Sequence, residues 1–203
     1  MIAAGCRDRQ AGSLRSPNRA LTAQVAFTII ELLIVMGIIV VLAGLILATS
    51  GYVQKKGARS RAEAEIAALS AGLESYKAEN GIYPTAPETE TFKPNSSSSV
   101  SEYQKASRYL YIQLTGDTDG NPTTPDTGKN YLGASLKPNM LSPNPPGAQT
   151  YIRDPFGNSY GYSTVKAAAP AGTDGYNPTF DLWSTGGVFP PVPADQSQWI
   201  KNW

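Results

Sequence analysis

A carboxylate opens the longest apolar stretch of this chain: Glu31 is followed by the run Leu32 to Ala48, with Phe27-Thr28-Ile29-Ile30 before it and Thr49-Ser50-Gly51 after it. As a helix the run is nearly long enough to cross a hydrocarbon core of about 30 Å. A carboxylate in the first turns of such a helix costs on the order of 2.5 kcal/mol or more unless it is paired. Two kinds of relief are open to Glu31. It can snorkel into water at the membrane surface, or it can meet a positive charge. A cut between Ala26 and Phe27 supplies that charge, because it creates an α-amine four residues upstream; in an assembly the amine of a neighbouring copy serves equally well.

What precedes the run reads as a leader rather than as structure. Residues 1–26 are polar, contain Pro17 and four arginines, and show no apolar periodicity before Val25. Ala3-Ala4-Gly5-Cys6 has the look of a lipoprotein acceptor, but no apolar stretch precedes it, so Cys6 is incidental. The chain carries 17 Lys and Arg against 16 Asp and Glu; without residues 1–26, which hold four arginines and one aspartate, these become 13 and 15, a net charge of −2. No broad basic surface argues for nucleic acid. Histidine is absent, so the usual zinc ligands and every histidine-based acid, base or triad are missing. Without Cys6 the remainder has no internal disulfide.

Helical periodicity outlasts the apolar run. Ala62, Ile66, Leu69, Leu73 and Tyr76 recur at spacings of four and three, one stripe of an amphipathic helix, with Glu63, Glu65, Glu74, Lys77 and Glu79 on its polar side. Asn80-Gly81 and Tyr83-Pro84 stop it, so a single helix of roughly 80 Å is expected from Phe27 to about Asn80, its segment 27–50 transmembrane. Glu88 to Glu102, with four consecutive serines, reads as a mobile excursion. Tyr103 to Leu114 reads as a short helix and Thr115 to Asn130 as loop. Alternation around Tyr160-Tyr162-Thr164 and Phe180-Leu182 predicts strands, with a turn at Asp154-Pro155-Phe156-Gly157-Asn158 leading into the first. The expected fold is α+β: a long N-terminal helix whose second half carries a small antiparallel sheet, the globular part spanning residues 81–203.

Ala26-Phe27-Thr28-Ile29-Ile30-Glu31-Leu32-Leu33-Ile34-Val35 resembles the processing and methylation motif of the type IV pilin-like prepilins. The resemblance extends further. Leu73 to Pro84 looks like the helix exit of the type II secretion major pseudopilin, and Asp154 to Tyr162, Phe180 to Ser184 and Ile200 to Trp203 are similar to its C-terminal region. It implies that a prepilin peptidase cuts after Ala26 and methylates the amine of Phe27. It also implies that Glu31, the fifth residue after the cut, sets subunit register, and that the chain builds a homo-oligomeric pseudopilus with inner-membrane secretion components, minor pseudopilins and membrane lipid as partners. The implied location is the bacterial inner membrane, N-terminus cytoplasmic and C-terminal domain periplasmic. Three positions depart from the family pattern: Ala26 stands where glycine is usual, Arg19 is the nearest leader base, and Ala48 stands where a helix-kinking proline is common.

The family's C-terminal calcium site is not expected here, because Val188 occupies an acidic position and only Asp195 remains as a carboxylate, whereas calcium takes six to eight oxygens. Asp117-Thr118-Asp119-Gly120-Asn121 is a weaker calcium-like feature. An EF-hand opening at Asp117 needs a bidentate acid where Gly128 stands, so a solvated turn is the simpler reading. No cofactor is therefore expected, with Asp117, Asp119 and Asp195 as the weak calcium candidates. Lys55, Lys56, Arg59 and Arg61 read as a solvated collar where the helix leaves lipid, rather than as a nucleic-acid or lipid site, and Tyr160, Tyr162, Phe180 and Trp183 as core. A type IV pilin or minor pilin acting in adhesion, motility or DNA uptake is the alternative on the same scaffold. A membrane-tethered enzyme is the least supported reading, because Asp154, Asp174, Asp181 and Asp195 come with no nucleophile or base.

Overall fold

The structure is a computed structural model, and it describes residues 27–124, 126–191 and 195–203. The expected leader, residues 1–26, and with it Ala26, lies outside the described residues. The chain divides into two compact units, Met1–Ala48 and Thr49–Trp203, and the helix α1, Ile29–Asn80, contributes to both.

Within the first unit the described part of α1 is apolar on every side. Ile29, Val40 and Leu47 are 86%, 71% and 75% exposed, and none of the most apolar 18-residue stretch of α1 is buried. A helix that is apolar all round has no solvent face. Each large side chain it leaves in water forgoes about 1.5–3 kcal/mol relative to full burial. By length and composition this helix can cross a membrane.

In the second unit α1 becomes one-sided. Ala62, Ile66, Leu69 and Leu73 are buried, as their spacing predicts, and Tyr76 packs at the edge of the same cluster. Glu63, Glu74, Lys77 and Glu79 are exposed, but Glu65 is half-buried: its Oε2 accepts from Tyr160 Oη at 2.7 Å. Burial pushes the Glu65 carboxyl up and, together with the nearby negative charge, pushes the Tyr160 phenol up further. Gly81, with φ +80°, ends the helix.

The remainder is α+β with short strands. The helices α2 (Pro87–Glu90), α3 (Val100–Thr115) and α4 (Val165–Ala168) accompany β1 (Leu141–Ser142), β2 (Tyr151–Ile152), β3 (Gly161–Ser163), β4 (Asp181–Ser184) and β5 (Ile200–Lys201). β1 pairs antiparallel with β2, and a three-stranded antiparallel sheet runs β3-β4-β5. In its register Gly161 faces Trp183 and Tyr162 faces Leu182. The alternation read as strands is present, but it does not separate core from solvent: every residue of β3 and β4 is buried. Tyr160, Tyr162, Phe180 and Leu182 join the cluster on α1. Trp183 joins a second cluster with Phe92, Tyr103, Ala106 and Trp199. A Cβ at Gly161 would overlap the Trp183 indole, which is why a glycine stands there.

Glu88 to Glu102 is not a mobile excursion. Thr89, Phe92 and Pro94 are buried in it. Phe92 stacks on Trp183 at 5.3 Å between ring centroids and meets Tyr103 edge-on at 4.9 Å. The serine run ends in a cap rather than a disordered tip: Ser99 Oγ accepts from the Glu102 N–H, and Glu102 Oε2 accepts from the Ser99 N–H at 2.6 Å. α3 therefore starts three residues earlier than the apolar pattern at Tyr103 suggests. At its far end Gly116, at φ +72°, closes the helix in the left-handed region.

Candidate functional site at the start of the apolar helix

Glu31 is positioned by Thr28. The Thr28 carbonyl accepts the first helical bond, from the Leu32 N–H at 3.2 Å, which makes Thr28 the cap. The Thr28 N–H and hydroxyl both donate to Glu31 Oε2, at 3.0 and 2.9 Å, and the Glu31 N–H donates to Thr28 Oγ at 3.2 Å. This is a reciprocal capping box. It satisfies two donors that a helix N-terminus leaves without partners and sets a negative charge against the positive end of the helix dipole.

Among the described residues the second oxygen, Oε1, has no partner. The box uses only atoms of Thr28 and Glu31, so a chain beginning at Phe27 retains all of it. Sequence reasoning sought the partner of Glu31 in water or in an amine and passed over Thr28, although Thr-x-x-Glu before an apolar run is the sequence signature of this box. Phe27 is 82% exposed.

The calcium candidates separate. Asp117 and Asp119 come together with Asp126, one oxygen of each within 4.8 Å of the others; Asp195 is not in that group and accepts from the Ser197 N–H at 3.0 Å. Asp117 is not in a solvated turn: it is buried, accepting from Tyr111 Oη at 2.5 Å and from the Asn121 N–H at 2.9 Å. Asp119 accepts from the Asn121 N–H and the Thr124 hydroxyl, and Asp126 from the Thr118 hydroxyl. The Arg108 guanidinium donates to the Asp119 carbonyl at 3.1 Å. Three carboxylates already holding the loop's own donors, with a fixed cation beside them, fall short of a shell of six to eight oxygens. Gly128, where the EF-hand acid would stand, lies against the Gly116 backbone with no room for a Cβ.

The other carboxylates of interest have local partners. Asp154 is buried; its Oδ1 accepts from the Phe156 and Asn158 N–H groups at 3.0 and 2.8 Å and its Oδ2 from the Ser184 hydroxyl at 2.5 Å. Burial holds this carboxyl above the usual aspartate range, against the downward pull of those bonds. Asp181 accepts from the Tyr176 and Asn177 N–H groups, and Asp174 pairs with Lys93 at 2.8 Å. Tyr160, Tyr162, Phe180 and Trp183 are core.

Comparison of the chain with protein-family models, with curated proteins and with solved structures finds no match.

Proposed function

We propose that the chain is a structural subunit of a type II secretion pseudopilus. In this reading prepilin peptidase cuts between Ala26 and Phe27 and methylates the new amine. The helix anchors the protein in the bacterial inner membrane with the N-terminus cytoplasmic and the globular unit periplasmic, and assembly moves the apolar helices from lipid into the filament core.

The observation that carries the reading is a single carboxylate, half-satisfied, at the head of a helix apolar on all sides. The exposed run needs either lipid or other copies of itself. Glu31 Oε1 remains open to an amine, while Oε2 stays with Thr28. The Phe27 amine, from the same chain or a neighbour, supplies the charge that lowers the cost of holding Glu31 in an apolar surrounding. Register follows, because each helix offers only one such acceptor along its apolar length.

Mass spectrometry of the protein isolated from its native membrane should show a chain beginning with N-methyl-Phe27, and an intact Met1 start removes the processing step. Glu31→Gln should leave the protein in the membrane and abolish filaments visible by electron microscopy; normal filaments from that variant refute the amine pairing.

A further inference from the structure

Two grooves flank the part of α1 that follows the apolar run, and they share Lys55 and Phe156. One, of about 740 Å³, includes Arg61 and Pro155; the other, of about 750 Å³, includes Tyr52, Lys56 and Arg59. No aspartate or glutamate lines either groove. The four cations are not equivalent. Arg59 pairs with Glu63 at 3.4 Å and donates to the carbonyls of Gln198 and Trp199 at 3.2 and 3.4 Å, so it ties the helix to the C-terminal segment. Arg61 acts on the half-buried Glu65. Lys55 and Lys56 are exposed and form no ion pair among the described residues.

We propose that Lys55 and Lys56, with the apolar floor at Phe156 and the exposed Tyr52, bind the phosphate of an anionic phospholipid. The inference rests on the membrane-spanning reading above and goes beyond the expectation of a merely solvated collar. Lys55 follows Leu47 by eight residues, at most about 12 Å of helical rise. The headgroup layer adds roughly 5–7 Å beyond the hydrocarbon on each side, and a lysine stem bridges the remaining distance by snorkelling. Tyr52, 72% exposed, lies between the run and the lysines, where an amphipathic ring sits at headgroup level. Two unpaired cations over an acid-free, partly apolar groove match a phosphodiester attached to an acyl glycerol. Nucleic acid, which also carries phosphates, lacks the apolar half.

The test uses the full chain in phosphatidylcholine vesicles, with spin-labelled phosphatidylglycerol or spin-labelled phosphatidylcholine as probe; the motionally restricted fraction gives their relative association. Phosphatidylglycerol should be favoured by up to about 25-fold, about fivefold for each of the two lysines, and Lys55→Gln with Lys56→Gln should bring that preference toward unity. Lys105→Gln with Lys137→Gln, the same charge loss elsewhere, should leave it unchanged. A wild-type ratio near one, no effect of the Lys55/Lys56 pair, or loss of preference to inorganic phosphate at matched ionic strength overturns the proposal. Alkaline extraction of the same vesicles separates the two failures. Protein that stays in the bilayer without lipid preference sinks only the headgroup site; protein that washes out sinks the membrane anchor as well.

Discussion

Replacing Asp154 with alanine removes the acceptor of three donors at once: two backbone N–H groups of the turn before β3 and the hydroxyl of Ser184 in β4. A donor left buried without a partner costs about 1–3 kcal/mol. With partial relaxation, Asp154→Ala should destabilise the globular unit by roughly 3–5 kcal/mol. Asp154→Asn keeps one oxygen for the two N–H groups and should cost about 1–2 kcal/mol. Guanidinium unfolding of the full chain in detergent micelles, followed by tryptophan emission, reads this out, because Trp183 and Trp199 are 0% and 3% exposed when folded. The pH dependence has a definite sign. Burial raises the Asp154 carboxyl above its ordinary value of 3.8, so its contribution is fully present below that value and is lost as pH rises through the folded pKa. The asparagine variant has no such loss, and the gap between it and wild type should be wider near pH 3 than at pH 7. A gap that widens toward pH 7, or an alanine variant within about 0.5 kcal/mol of wild type, refutes the reasoning.

Ser99→Ala opens the cap of α3 and should lower stability by about 1 kcal/mol in the same unfolding assay; no change means that the Ser99–Glu102 pair is replaced by water at no cost. Gly161→Ala drives a methyl into the Trp183 indole and should cost about 1–3 kcal/mol with a shift in tryptophan emission, whereas an unshifted spectrum contradicts the close approach. Leu73→Ala, at a fully buried stripe position, should cost about 2–5 kcal/mol and leave membrane retention unchanged; loss of retention would place the anchor elsewhere.

The stripe from Ala62 to Leu73 is legible because a helix repeats its inward face every three to four residues, and burial follows that repeat. Glu88 to Glu102 is misread for the opposite reason. Four serines dominate its composition, while Phe92 acts singly and its partners lie outside the segment, Tyr103 just after it and Trp183 far along the chain. The strands are legible as strands, but their second buried face is not, since it depends on α3 and the Trp183 cluster covering it. Thr28-Ile29-Ile30-Glu31 and Ser99-Val100-Ser101-Glu102 share one syntax. Reading the first as a box gives the partner of Glu31 directly, and reading the second gives the start of α3. The burial of Asp117 had no local signal, because Tyr111 reaches it from the preceding turns of helix.

The contact between Gly116 and Gly128 gives the segment between them a practical use. Two backbones without side chains pinch the loop shut at its base, and Pro122, Thr123 and Thr124 stand exposed at its tip. Because the neck is fixed, lengthening the tip leaves the base of the loop in place; doubling it costs about 0.6 kcal/mol in closure entropy, beside the Thr124 hydroxyl's bonds to Asp119 and the Asn121 carbonyl that an insertion there disturbs. A peptide tag spliced between Thr123 and Thr124 would then be displayed at the surface of the globular unit, making the loop an attachment point for labels.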